Sequence, residues 1–290
     1  MKQKFILPFI LLGISILWTG CNFNPQGQDG QDTSEPLELG EQDEYFSFRD
    51  TLSFRSKDME HDAYNGDYYY YSQQAAAIDW PLKLADCENI APLHQALINY
   101  AFPKADPSTP IATCIKEYTE RATFLDFIDD IEAIRINNDE MEGGMNCYTD
   151  AVSVHVSMAS PSLLTFVIGH YSYTGGAHGF YMDTYVNFDK KNGKIFDTDE
   201  TFRKDSKDKV IQVLNHYIKQ KQDYYEPTTE IPTFYFGPEN LTFVFAPYAI
   251  ACYAEGIVKV SIPYTALDAY LTDEIKEILK DASQFVLVNQ

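Results

Sequence analysis

The sequence predicts an α+β fold, a mostly antiparallel sheet with packed helices arranged in two contiguous subdomains. Three observations point there. Residues 163–173 (LLTFVIGHYSY) and 181–188 (YMDTYVNF) are rich in aromatic and β-branched side chains and flank a glycine-rich turn, as in a hairpin. Apolar residues recur at helical spacing in residues 88–100, 111–134 and 201–225. Strands and helices do not alternate in the rhythm of a parallel sheet, and no internal repeat is present.

Residues 1–20 read as a lipoprotein signal peptide. Lys2 and Lys4 precede an apolar run from Phe5 to Trp18, and small residues lead to Cys21. That run is shorter than the about 20 residues a spanning helix needs. A plain secretory signal requires no cysteine at its cleavage point, so Cys21 is the expected site of lipid attachment. Residues 21–43, made of Gln, Asp, Gly, Ser and Pro with almost no apolar content, read as a flexible tether.

Residues 44–140 read as an N-terminal α+β subdomain. Phe46, Phe48, Leu52 and Phe54 alternate as one strand face, and residues 68–78, opening with four tyrosines, are expected to pair with them. Tyrosine clusters occur at protein and glycan interfaces, and more often in the core and rim of a sheet. Ile90, Leu93, Leu97 and Ile98 mark a short helix over residues 88–100. A longer helix over residues 111–134 follows Pro110, with Ser108 or Thr109 as its cap. The acidic loop at residues 137–144 (NNDEMEGG) is the candidate boundary, and it lacks the spacing of a calcium-binding loop.

Residues 141–290 read as a C-terminal α+β domain. Residues 145–158 form a strand with Val152, Val154 and Val156 on one face, and the hairpin follows. Within it Tyr181, Asp183, Tyr185 and Asn187 share one face, and Met182, Thr184, Val186 and Phe188 the other. Asn192-Gly193 marks a second turn. Residues 201–225 form a helix with Val210, Val213, Leu214, Tyr217 and Ile218 inward. Residues 240–246 and 256–262 are expected to pair as strands, ended by Pro263. Residues 273–279 make a last helix, and residues 285–288 a short edge strand.

The hairpin carries a resemblance. Tyr173-Thr174-Gly175-Gly176-Ala177-His178, then Asn187-Phe188-Asp189, then Asn192-Gly193-Lys194 resemble the signature of a bacterial extracytoplasmic family of unknown function. Its best-known members are the lysozyme-binding anti-sigma-V factor RsiV and the non-catalytic part of a peptidoglycan deacetylase. Asn240 to Tyr248, Tyr253-Ala254-Glu255-Gly256 and Val260 to Tyr264 extend the likeness, which covers the C-terminal half. The part upstream resembles the small domain that commonly precedes it. The resemblance implies a non-enzymatic binding protein of the cell envelope, lipid-anchored at the periplasmic or outer-membrane face. It implies as partner a basic protein such as a lysozyme, or peptidoglycan. Tyr171, Tyr173, Thr174, Gly175, Gly176, His178 and Tyr181 are the candidate ligand-binding residues.

Composition narrows the partners. The formal net charge is −21, and loss of residues 1–20 removes two lysines and no acid, leaving −23. A surface so acidic excludes nucleic acid and passive adsorption to anionic membranes, and it steers basic partners inward. Cys87, Cys114, Cys147 and Cys252 can form two disulfides in an oxidising compartment, in any of three pairings, or stay buried thiols. No spacing suggests a metal site, and no cofactor fingerprint is present. The competing chemistry is a cell-wall hydrolase or deacetylase using His178 with Asp183 or Asp189 as base and acid.

Overall fold

The computed structural model describes residues 44–61, 66–85, 87–120, 147–173 and 177–288. The expected signal peptide and tether lie outside these residues. So do the end of the long helix expected over 111–134 and the acidic boundary loop.

Among the described residues, seven strands form one sheet. Strands β1 (Glu44–His61) and β2 (Gly66–Lys83) make a long antiparallel hairpin in the expected pairing. Strand β2 then pairs in parallel with β3 (Cys147–Ala159), from Tyr71 opposite Cys147 to Ile78 opposite Val154. Strands on either side of the expected 140/141 boundary therefore share one sheet. From β3 onward the order is antiparallel: β4 (Leu163–Tyr173), β5 (Phe180–Asp189) and β6 (Lys194–Ile195). Strand β10 (Val286–Leu287) pairs with Ala159 and Met158 of β3, beyond the stretch of β3 that β2 covers.

The turn between β5 and β6 shows how local chemistry sets this order. Buried Asp189 accepts hydrogen bonds from the Lys191 and Asn192 backbone N–H groups and from Asn192 Nδ2, at 2.7–3.1 Å. Gly193 follows at φ 62°, a left-handed conformation that glycine adopts without a Cβ penalty. A Cβ there would lie 2.5 Å from the backbone oxygen of Asn89, so this turn is also where helix α1 (Ala91–Ala101) docks.

The side-chain parity of the hairpin is the one expected. Val152, Val154, Val156, Phe166, Ile168, Val186 and Phe188 are all buried on one sheet face. Helix α1 lies across β3 to β6, burying Leu93, Leu97, Ile98 and Ala101. Helix α2 (Ile111–Glu120) packs on the β1–β2 hairpin.

A second sheet of β7 (Phe234–Phe236), β8 (Asn240–Phe245) and β9 (Val258–Pro263) is antiparallel, with β8 and β9 paired as expected. It shares a core of Phe202, Val210, Leu214, Phe234, Phe243, Val260 and Ile262 with the helix above it. The single helix expected over residues 201–225 is instead two pieces: α3 (Thr198–Thr201) and α4 (Lys207–Lys221). Phe202 breaks it by going extended, at φ −109° and ψ 144°, to bridge Leu271. Helices α5 (Tyr264–Leu267) and α6 (Asp273–Ile278) close the chain around that bridge, and Thr272 caps α6 by accepting from Ile275 N–H.

Cys114 is a buried free thiol facing the Thr109 carbonyl, and Cys252 is an exposed free thiol. Among the described residues no helix is long and apolar enough to cross a membrane.

Candidate functional site

The hairpin of β4 and β5 carries the site because its register sets which tyrosines meet. Tyr171 stands opposite Tyr181, and both face the same side. His170, one residue earlier, points to the other side, where its Nε2 lies 2.8 Å from the Tyr100 carbonyl. His170 thus stands on the face turned away from His178, which meets the tyrosines.

The loop between β8 and β9 meets the hairpin tip on the tyrosine side. The His178 ring stacks on Tyr253, with centroids 3.6 Å apart and planes 14° apart. The Tyr253 hydroxyl donates to the Gly179 carbonyl at 2.6 Å, and its ring meets the Tyr181 ring edge-on at 5.9 Å. Tyr248 adds a third tyrosine, 5.6 Å from the Tyr253 centroid, with its hydroxyl 3.2 Å from His178 Nε2. Burial, together with Tyr181 and Tyr248, pushes the Tyr253 hydroxyl above its ordinary pKa. Glu255 anchors the loop by accepting the hydroxyls of Tyr224 and Tyr225 at 2.7 and 2.9 Å. Those two hydrogen bonds hold its carboxyl below the usual range.

Tyr248 is the outlier of this cluster. Ala249 N–H donates to the Ala246 carbonyl at 3.1 Å, closing a four-residue turn with Pro247 second and Tyr248 third. Proline fixes the second position, and Tyr248 has φ 71°, so the turn is type II, whose third position normally takes glycine. A tyrosine there costs of order 1–3 kcal/mol. It is nonetheless 61% exposed, so core packing does not offset that cost. The sequence held no sign of this strain.

Of the residues expected to bind ligand, Tyr171, His178 and Tyr181 come together at this tip. Tyr173 lies on the same face two residues beyond Tyr171. Thr174, Gly175 and Gly176 lie outside the described residues. Tyr248 and Tyr253 were quoted only within the resemblance, and the ring contacts are what add them to the site.

The two candidate acids sit apart from the tip. Asp189 is at the far end of β5 and is taken up by its own turn. Asp183 faces the tyrosine side of the sheet, opposite Gly169. Burial raises its carboxyl above the ordinary 3.8, against the opposing pull of Lys259 and His155. The folded chain therefore holds this proton more tightly than the unfolded chain. Stability is lost as pH rises from 3.8 through the folded value, and the whole cost is present at neutral pH. Asp183→Asn is expected to raise Tm at neutral pH, and the gain should vanish below about pH 3. A Tm that rises equally at both ends would contradict it. Among the described residues no group of His, Cys, Asp and Glu side chains is placed to hold a metal ion.

The comparisons with known proteins fit this architecture. Residues 195–265 match the family model DUF3298. The family is described as one of unknown function, and the match takes in β6 through β9, including Tyr248, Tyr253 and Glu255. It begins after the Tyr173 to His178 motif, so the family match is shorter than the C-terminal domain expected over 141–290. A crystal structure of a DUF3298 family member from Bacteroides fragilis aligns over 82% of this chain and 99% of its own, at TM-score 0.63 and 24% identity. A DUF3298 family protein from Pseudomonas aeruginosa aligns over 80% of this chain and 97% of its own, at TM-score 0.53 and 15% identity. At these identities the likeness is one of fold. No curated protein matches the chain. The tip site thus pairs side chains of the segment matching DUF3298 with the hairpin that precedes it.

Proposed function

We propose that this chain is a lipid-anchored bacterial envelope protein that binds a basic protein of the lysozyme type through its tyrosine-rich tip, without making or breaking bonds. The observation that carries this reading is Tyr248: a large aromatic side chain held in a strained turn and left exposed. Strain kept on a side chain that leaves most of its surface exposed suits a residue whose partner is another molecule. The −21 formal charge supplies long-range attraction for a basic partner. The RsiV-like motif and the Cys21 signal support the envelope setting. Cys21, acylated, would hold the chain at the periplasmic or outer-membrane face.

The test is titration of the full chain in mild detergent with hen egg-white lysozyme, at low and high salt. Tyr248→Gly is expected to weaken binding about 30-fold, the scale of a 2 kcal/mol hot spot, with Tm unchanged or higher. Retention of neither lysozyme nor purified peptidoglycan by the parent chain would remove the reading, and retention of peptidoglycan alone would change the partner. Palmitate incorporation in cells should depend on Cys21, and labelling that survives Cys21→Ser would refute the anchor.

A further inference from the structure

Below the tip, the same sheet face holds a second arrangement that the tyrosine cluster does not use. Ser153 on β3, Gly169 on β4 and Asp183 on β5 stand in one cross-strand row. Ala77 of β2 continues that row beyond Ser153. The row is low because Gly169 has no side chain, and a Cβ there would lie 2.7 Å from Ser153 Oγ. Tyr171 and Tyr181 form the row on one side, and His155, Val167 and Tyr185 the row on the other. Alternate residues on a strand lie about 7 Å apart, so the flanking rows stand about 13 Å apart across the low one. The result is a trough running across three strands.

One end of the trough meets the second sheet. The Tyr185 and Tyr235 rings are 4.7 Å apart, and Lys259 Nζ lies 5.8 Å from the Tyr235 centroid. Asp183 feels Lys259 and His155 electrostatically, yet among the described residues no group donates a hydrogen bond to it. A half-buried carboxylate without a donor is an acceptor that folding alone does not satisfy.

We propose that this trough is a binding site for a neutral saccharide, with Asp183 accepting ligand hydroxyls, Lys259 donating to ligand oxygens and half-buried Tyr185, backed by buried Tyr235, packing on a sugar face. Charge decides the class. An anion in the trough would meet Asp183, and a cation would meet Lys259. A ligand that is neutral, rich in both donors and acceptors, and apolar on one face matches all the groups present. The site lies apart from the proposed protein-binding tip and shares only Tyr171 and Tyr181 with it.

The test uses the β-1,4-linked trimer of N-acetylglucosamine and maltotriose as neutral probes, with glucosamine 6-phosphate and spermidine as charged controls. Each is titrated into the full chain in mild detergent while backbone amide resonances are followed. The expected result is that one neutral trimer shifts resonances of β4, β5 and β9. Asp183→Asn and Lys259→Met should each weaken that binding about tenfold. Tyr248→Gly should bind the sugar like the parent chain, which separates this site from the tip. Asp183→Asn is expected to be more stable than the parent near neutral pH, so its lost binding cannot be ascribed to unfolding. Three results would overturn the proposal: no shift from either neutral trimer at millimolar concentration, undiminished binding in both variants, or tighter binding of a charged control.

Discussion

Asn187→Leu is expected to lower stability by about 3 kcal/mol, because it leaves two buried polar groups without partners at about 1–3 kcal/mol each. Asn187 is 2% exposed and joins the two sheets through a single amide. Its Oδ1 accepts from the Thr165 hydroxyl at 2.9 Å, and its Nδ2 donates to the Phe234 carbonyl at 2.9 Å. Leucine keeps the branching and leaves no cavity, so the loss reports the broken hydrogen bonds together with overpacking by its bulkier methyls. For a chain of this size such a loss lowers Tm by about 6–12 °C. Urea unfolding of Asn187→Leu, Thr165→Val and the double variant would measure the tie directly, since the double variant removes both partners of one bond. A loss below about 1 kcal/mol in Asn187→Leu would mean the Asn187 bridge contributes little to holding the sheets together.

Gly256→Ala is the second large effect, and it reaches the site. Gly256 has φ 67° and ψ −145°, a region that side chains other than glycine essentially do not enter. A Cβ there would also lie 2.8 Å from the Tyr181 hydroxyl. Backbone strain of about 1–3 kcal/mol therefore adds to displacement of a tyrosine whose ring touches Tyr253. The expected outcome is a lower Tm together with loss of lysozyme binding. Gly237→Ala serves as the comparison, since its Cβ would meet only the Asn240 carbonyl, at 3.2 Å. If Gly256→Ala binds like the parent while Tyr248→Gly does not, the tip depends on Tyr248 alone and not on the Tyr181–Tyr253 contact.

These expectations rest on different kinds of legibility. The β4–β5 hairpin could be read from its period of two, and its face assignments follow because the pleat alternates side chains whatever the surroundings. The Asn192-Gly193 turn could be read for a similar reason, since a left-handed position favours glycine locally. Helix α4 showed its apolar stripe, but its start could not be read, because Phe202 leaves the helix to bridge Leu271 far along the chain. Strand β7 was not anticipated: Phe234, Tyr235 and Phe236 are all buried, so no alternation marks them. Asp189 looked like a candidate acid because composition does not reveal that its oxygens already accept from the turn behind it.

By itself the sequence determined the α+β class, the two hairpin turns, the pairing of β8 with β9 and the face on which Tyr171 and Tyr181 stand. Each depends on neighbours a few residues apart, where period and turn chemistry act. Only the tertiary structure decided that β2 and β3 pair in parallel, that His170 and His178 part company, and that Tyr248 and Tyr253 close over the hairpin tip. Those outcomes join residues distant in the chain, and they are set by packing and backbone strain that no local pattern encodes.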